Sequence, residues 1–102
     1  MPLLTVAVAP VADRVVVRLA GEADLSTRSL LDQGLQDAAA AGDPVEVDLR
    51  AVRFFDSSCL GALGSFRARL RADGRTCRLV GVPPRTRRII DLAGLGDVLA
   101  AG

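Results

Sequence analysis

The spacing of apolar residues changes period repeatedly along this chain, and that restricts the fold more than any single motif. Val45-Glu46-Val47-Asp48-Leu49 alternates strictly between apolar and charged, the pattern of a strand with one buried face. On either side the period lengthens. After Leu25, residues Leu30, Leu31, Leu35, Ala38 and Ala39 recur at three- and four-residue intervals, predicting a helix that Ser26 or Thr27 can cap and Gly42-Asp43-Pro44 ends. Beyond Ser57 or Ser58, the positions Leu60, Leu63, Phe66 or Arg67, and Leu70 mark a second helix, closed by Asp73-Gly74. Upstream, Leu3 to Ala9 and Arg14 to Ala20 are β-rich runs separated by a break at Pro10 to Asp13, which reads as a hairpin. Downstream, Cys77 to Val82 is a strand. Pro83-Pro84 then opens a third helix with Ile89, Ile90 and Leu92 inward, followed by a last turn from Leu95 to Leu99. The order β-β-α-β-α-β-α requires parallel crossovers. The expected fold is therefore α/β, a small mixed β-sheet of about four strands with helices packed on it.

At 102 residues the chain has room for one domain, expected to span 1–102. Only Phe54, Phe55 and Phe66 are aromatic, so the core must come from Val, Leu, Ile and Ala. The missing residue types exclude whole classes of chemistry. With no His there is no histidine base, no Ser-His or Cys-His pair and no imidazole ligand; all thirteen basic residues are Arg, so no lysine serves a P-loop or a Schiff base. A hydrolase using Ser57 would have no base, and Asp24 with Asp56 read as a cap or a partner contact rather than an acid–base pair. A non-enzymatic protein is expected, with no cofactor and no metal. Cys59 and Cys77 form no C-x-x-C and have no His partners, which argues against a disulfide framework or a zinc site.

Net charge is +1 and there is no Tyr or Trp, so neither nucleic acid nor an anionic membrane is expected as a partner; Arg85, Arg87 and Arg88 read as a solvated face. The charge is uneven along the chain. Residues 1–51 hold four Arg against eight acids, and residues 52–102 hold nine Arg against four, a polarity that suits a charged protein partner as well as a solvated face. The first thirteen residues carry no Lys or Arg and no apolar run approaches the ~20 residues of a membrane span, so the expected compartment is the cytoplasm.

Phe54-Phe55-Asp56-Ser57-Ser58-Cys59-Leu60-Gly61-Ala62-Leu63 leads from a strand through a tight turn into a helix. Asp and Ser there serve as caps for N–H groups without intrahelical partners. The same geometry also suits a reversible charge switch. A helix N-terminus accommodates an anion, and a serine on it is exposed yet rigidly held.

This segment resembles the phosphorylation-site motif of the STAS-domain anti-sigma factor antagonists, hydrophobic-Asp-Ser-Ser/Thr-Gly-Leu-Gly. Three further segments agree in order and spacing. Gly21-Glu22-Ala23-Asp24-Leu25 is similar to the family's G-E-L-D, Val45 to Leu49 to its V-x-V-D-L strand, and Arg87 to Leu95 to its V-R-R-V-L-x-L-T-G-L close. The resemblance implies that Ser57 is the phosphoacceptor, with Ser58 the neighbouring hydroxyl and weaker candidate. It places Asp24 and Asp56 near that site, and Asp24, Asp56, Ser57, Ser58, Cys59 and Leu60 at the partner-binding surface. The implied partner is an anti-sigma factor that is itself a serine kinase: the unphosphorylated antagonist binds it and frees the sigma factor, phosphorylation ends the association, and a serine phosphatase resets the switch. The alternative keeps the fold without the switch, as a STAS interaction subunit of a stress scaffold or lipid-transport complex. The chain departs from the motif at Cys59, where the family has Gly; a small buried filler and a redox thiol at a helix N-terminus are the two readings of that residue.

Overall fold

The computed structural model describes residues 3–92. Strand β1 (Leu4–Val11) and strand β2 (Arg14–Ala23) form the hairpin; helix α1 (Arg28–Ala41), strand β3 (Val45–Phe55), helix α2 (Ser57–Ala72), strand β4 (Cys77–Val80) and helix α3 (Pro84–Leu92) follow. The sheet order is β1-β2-β3-β4, antiparallel between β1 and β2 and parallel elsewhere. This is the mixed four-stranded α/β arrangement expected from the periodicity. The expected turn from Leu95 to Leu99 lies outside the described residues.

The alternation sorts the two faces of the sheet. Val15, Val17 and Leu19 of β2 and Val45, Val47 and Leu49 of β3 point into one core with Leu31, Leu35, Leu60, Leu63 and Phe66 from α1 and α2. The charged partners of that alternation occupy the opposite face. There Asp48, nearly buried, accepts from Arg18 Nε at 3.3 Å and Arg50 Nη2 at 3.1 Å, and Arg14 pairs with Glu46 at 3.3 Å. Of the alternatives Phe66 and Arg67, both are buried; Arg67 is accommodated because its Nε donates to the Cys77 carbonyl.

Several boundaries differ from the sequence expectation, each for a physical reason. Pro10 does not break β1. Leu3 and Glu22 form a hydrogen-bonded pair, and alternation along the antiparallel ladder then places Pro10, opposite Val15, with its missing N–H toward the free edge of the sheet. The turn shrinks to Ala12 and Asp13, with Ala12 at φ 55 as a two-residue hairpin demands. Strands β2 and β3 run on to Ala23 and Phe55, past register shifts that scramble their alternation. In α3, Ile90 is buried and Ile89 half-buried, but Leu92 is 82% exposed. The inward stripe runs through Thr86 and Ile90, four residues apart, and Leu92 falls on the other side of the helix.

Candidate functional site

The extension of β2 and β3 brings the candidate residues together. These parallel neighbours end level, Ala23 opposite Phe55, and the Asp56 N–H donates to the Ala23 carbonyl at 2.9 Å. Asp24 and Asp56 therefore emerge side by side at the carboxyl ends of the two central strands. In open α/β sheets that edge is where binding crevices form.

Each aspartate organises the start of the helix that follows it. Asp24 Oδ1 accepts from the Ser26 N–H at 3.0 Å, the Ser26 hydroxyl at 2.6 Å and the Thr27 N–H at 3.2 Å. The Ser26 hydroxyl above all holds the Asp24 carboxyl below the usual carboxylate range. Thr27 stands at the cap position of α1 without capping it; its hydroxyl donates to the Glu22 carbonyl and accepts from the Asp24 N–H. Asp56 is the N-cap of α2, its Oδ1 accepting from the Cys59 N–H at 2.8 Å and the Ser58 hydroxyl at 2.9 Å. Partial desolvation pushes its carboxyl upward, but the Cys59 and Ser58 hydrogen bonds outweigh it and leave the group acidic.

The two serines differ. Both are exposed on the first turn of α2, but the Ser58 hydroxyl is committed to Asp56, whereas the Ser57 hydroxyl makes no hydrogen bond among the described residues. Cys59 and Leu60, expected at the contact surface, are fully buried, because positions three and four beyond the cap turn toward the sheet. They support the site from beneath and offer it no side-chain surface. The Cys59 thiol lies 3.5 Å from the Asp24 carbonyl, and burial, reinforced by the Asp56 carboxylate, pushes its pKa up to about 11. Cys59 is thus the small core filler of the two readings.

Sequence reasoning missed Arg28. Its guanidinium pairs with Asp32 at 3.2 Å and donates from Nη1 to the Ser58 carbonyl at 3.4 Å, tying α1 to the first turn of α2. The i, i+4 pair with Asp32 is visible in sequence; the contact across thirty residues is not. Among the described residues no group of three or more His, Cys, Asp or Glu is placed to hold a metal, and no helix is long and apolar enough to cross a membrane. The edge thus carries two hydrogen-bonded carboxylates, Asp24 and Asp56, and beside them the exposed Ser57 hydroxyl, which is without a hydrogen-bond partner among the described residues.

Comparison with known proteins places this surface in context. The family model described as Mlab, STAS domain matches residues 6–100. The anti-sigma-B factor antagonist of Bacillus subtilis (strain 168) is 30% identical over 84 residues, covering 81% of this chain and 76% of that protein. Among solved structures, an anti-sigma factor antagonist from Mycobacterium paratuberculosis superposes with a TM-score of 0.83 at 31% identity, over 94% of this chain and 82% of that one. The anti-sigma factor antagonist SpoIIAA in its unphosphorylated form shares the fold, with a TM-score of 0.75 at 23% identity over 93% of this chain and 85% of its own.

Proposed function

The chain belongs to the STAS-domain anti-sigma factor antagonist family, and on that basis we propose that it is a phospho-switch. Unphosphorylated, it binds an anti-sigma factor that is a serine kinase and so frees a sigma factor; phosphate on Ser57 ends the association, and a serine phosphatase restores it. The protein works by binding, in the cytoplasm where those partners act. The observation that carries this reading is the difference between the two hydroxyls: Ser57 is exposed on a capped helix, without a hydrogen-bond partner among the described residues and next to an aspartate already fixed in place.

A phosphoryl group there adds about −1.5 to −2 charge at neutral pH. The N-terminal end of α2 tolerates it, so the domain stays folded. A docked partner is in a different position. It would have to desolvate the dianion, and any acidic group it presents would be repelled. A loss of about 2–3 kcal/mol, on the order of a hundredfold in affinity, is enough to exchange partners.

The test uses each anti-sigma kinase of the source genome, purified in turn and incubated with the chain and ATP. Site-localised mass spectrometry is expected to find phosphate on Ser57, to find none at that position in Ser57→Ala, and to find Ser57 still modified in Ser58→Ala. In titration calorimetry Ser57→Ala should bind as wild type and Ser57→Asp about a hundredfold more weakly. Phosphate on Ser58 alone would move the site by one residue. No phosphate on either, with Ser57→Asp binding normally, would leave an unphosphorylated STAS interaction subunit.

A further inference from the structure

Beside the switch helices α1 and α2 are bridged by Arg28, whose Nη1 donates to the Ser58 carbonyl. Between them lies a cleft of about 630 Å³, walled on α1 by Arg28, Asp32 and Gln36 and on α2 by Ser58, Gly61 and Arg69. The α2 wall is low. A Cβ built on Gly61 meets nothing within 4 Å, so the space above it is open. From Ser58 to Arg69 the cleft follows three turns of helix, about 16 Å at 1.5 Å per residue. Each end carries an arginine, but only one of them is unpaired. At the Ser58 end Arg28 is already paired with Asp32, whereas Arg69 at the far end is exposed and makes no ion pair among the described residues.

We propose that this cleft receives a helix of the anti-sigma kinase, laid along α2 with short side chains over Gly61 and an acidic side chain at Arg69. The inference rests on the antagonist reading above and assigns the docking surface that reading lacks. Three features select this occupant. A trough between two helices, three turns long and shallow at its centre, matches the ridge of a third helix. The lining is polar at Asp32, Gln36 and Ser58, suited to a reversible contact rather than a permanent one. The unpaired Arg69 calls for a negative partner, which supplies orientation and association rate. Position then couples docking to the switch. Ser58 lines the cleft mouth and Ser57 precedes it on the same turn of α2, so a phosphate on Ser57 would stand beside the entry of the docked helix and have to be desolvated there.

Gly61→Leu tests this without disturbing the core, since the added side chain enters open space and leucine is the better helix former. Its melting temperature should equal or exceed that of the wild type, while affinity for the kinase that binds the wild-type chain falls at least about tenfold. Arg69→Glu should lower the association rate about tenfold and weaken its salt dependence. If Gly61→Leu binds as wild type while Ser57→Asp is released, the cleft proposal is overturned and the antagonist reading stands. If no anti-sigma kinase binds the wild-type chain, both fall. Saturable binding of ATP or inorganic phosphate in the cleft, lost in Arg69→Glu with kinase binding unchanged, would overturn the proposal in favour of a small anion.

Discussion

Cys59 shows at the scale of one residue how a helix N-terminus can fail to activate a thiol. Such positions ordinarily lower thiol pKa values because the end of the helix is positive. Here the Cys59 N–H is consumed by Asp56, a carboxylate stands nearby, and the sulfur is buried against the Asp24 carbonyl. Cys77 is buried as well, its pKa likewise pushed up to about 11. Neither thiol carries appreciable thiolate at pH 8. Iodoacetamide at that pH should leave both cysteines unmodified in the native chain and label both in denaturant, as intact mass will show. Cys59→Gly restores the family residue at a cost. The helix interior loses about 1 kcal/mol to glycine, and the emptied space adds to it, so about 2 kcal/mol is expected in urea denaturation. Kinase binding should survive, because the side chain faces the core; loss of binding in a folded Cys59→Gly would give the thiol a role of its own.

At the scale of the element, the site depends on where strands β2 and β3 slip. Gly21 sits in the bulged stretch of β2 at φ +107, and a Cβ there would overlap the carbonyl of Leu3, the residue that leads into β1. Gly21→Ala therefore strains both strands, and a loss above about 2 kcal/mol in denaturant midpoint analysis is expected. Destabilisation under 0.5 kcal/mol would mean the strands relax around it. The slip also explains what was legible in the sequence. Val45 to Leu49 declares itself a strand because one face is apolar and the other charged, and Asp56 reads as a cap because it precedes an apolar helical run. Beyond Leu49 the register shifts break the period of two, so the continuation to Phe55 leaves no simple trace. The meeting of Asp24 with Asp56 is implied only once the parallel pairing is known. Arg28 near Ser58, and the cleft over Gly61, belong to the packing angle of two helices, which no local pattern encodes.

For the whole molecule, the response to pH follows from which groups the fold perturbs and from one residue type it lacks. Without His, no side chain has an ordinary pKa near 6.5, so stability should be level between about pH 5 and 8. On the acid side, Asp48 is held below its ordinary range, first by the Arg50 hydrogen bond against partial desolvation, with Arg18 assisting; Asp24 and Asp56 are lowered too. The folded chain holds these protons less tightly than the unfolded one. Their stabilisation is present above about pH 4 and is lost as pH falls below it. On the alkaline side the sign reverses. Cys59 and Cys77 keep their protons to about 11 in the fold, whereas unfolded thiols release them near pH 8.5, so stability falls as pH rises from about 8.5. Urea midpoints recorded from pH 3 to pH 10.5 should therefore trace a plateau with two shoulders whose origins can be separated by mutation. Asp48→Asn should lower the plateau and make the acid shoulder shallower, because Arg18 and Arg50 lose their shared partner. Cys59→Ala with Cys77→Ala should leave the acid shoulder in place and flatten the alkaline one. An alkaline fall that persists at full depth in that double variant would show that groups other than the two buried thiols set it.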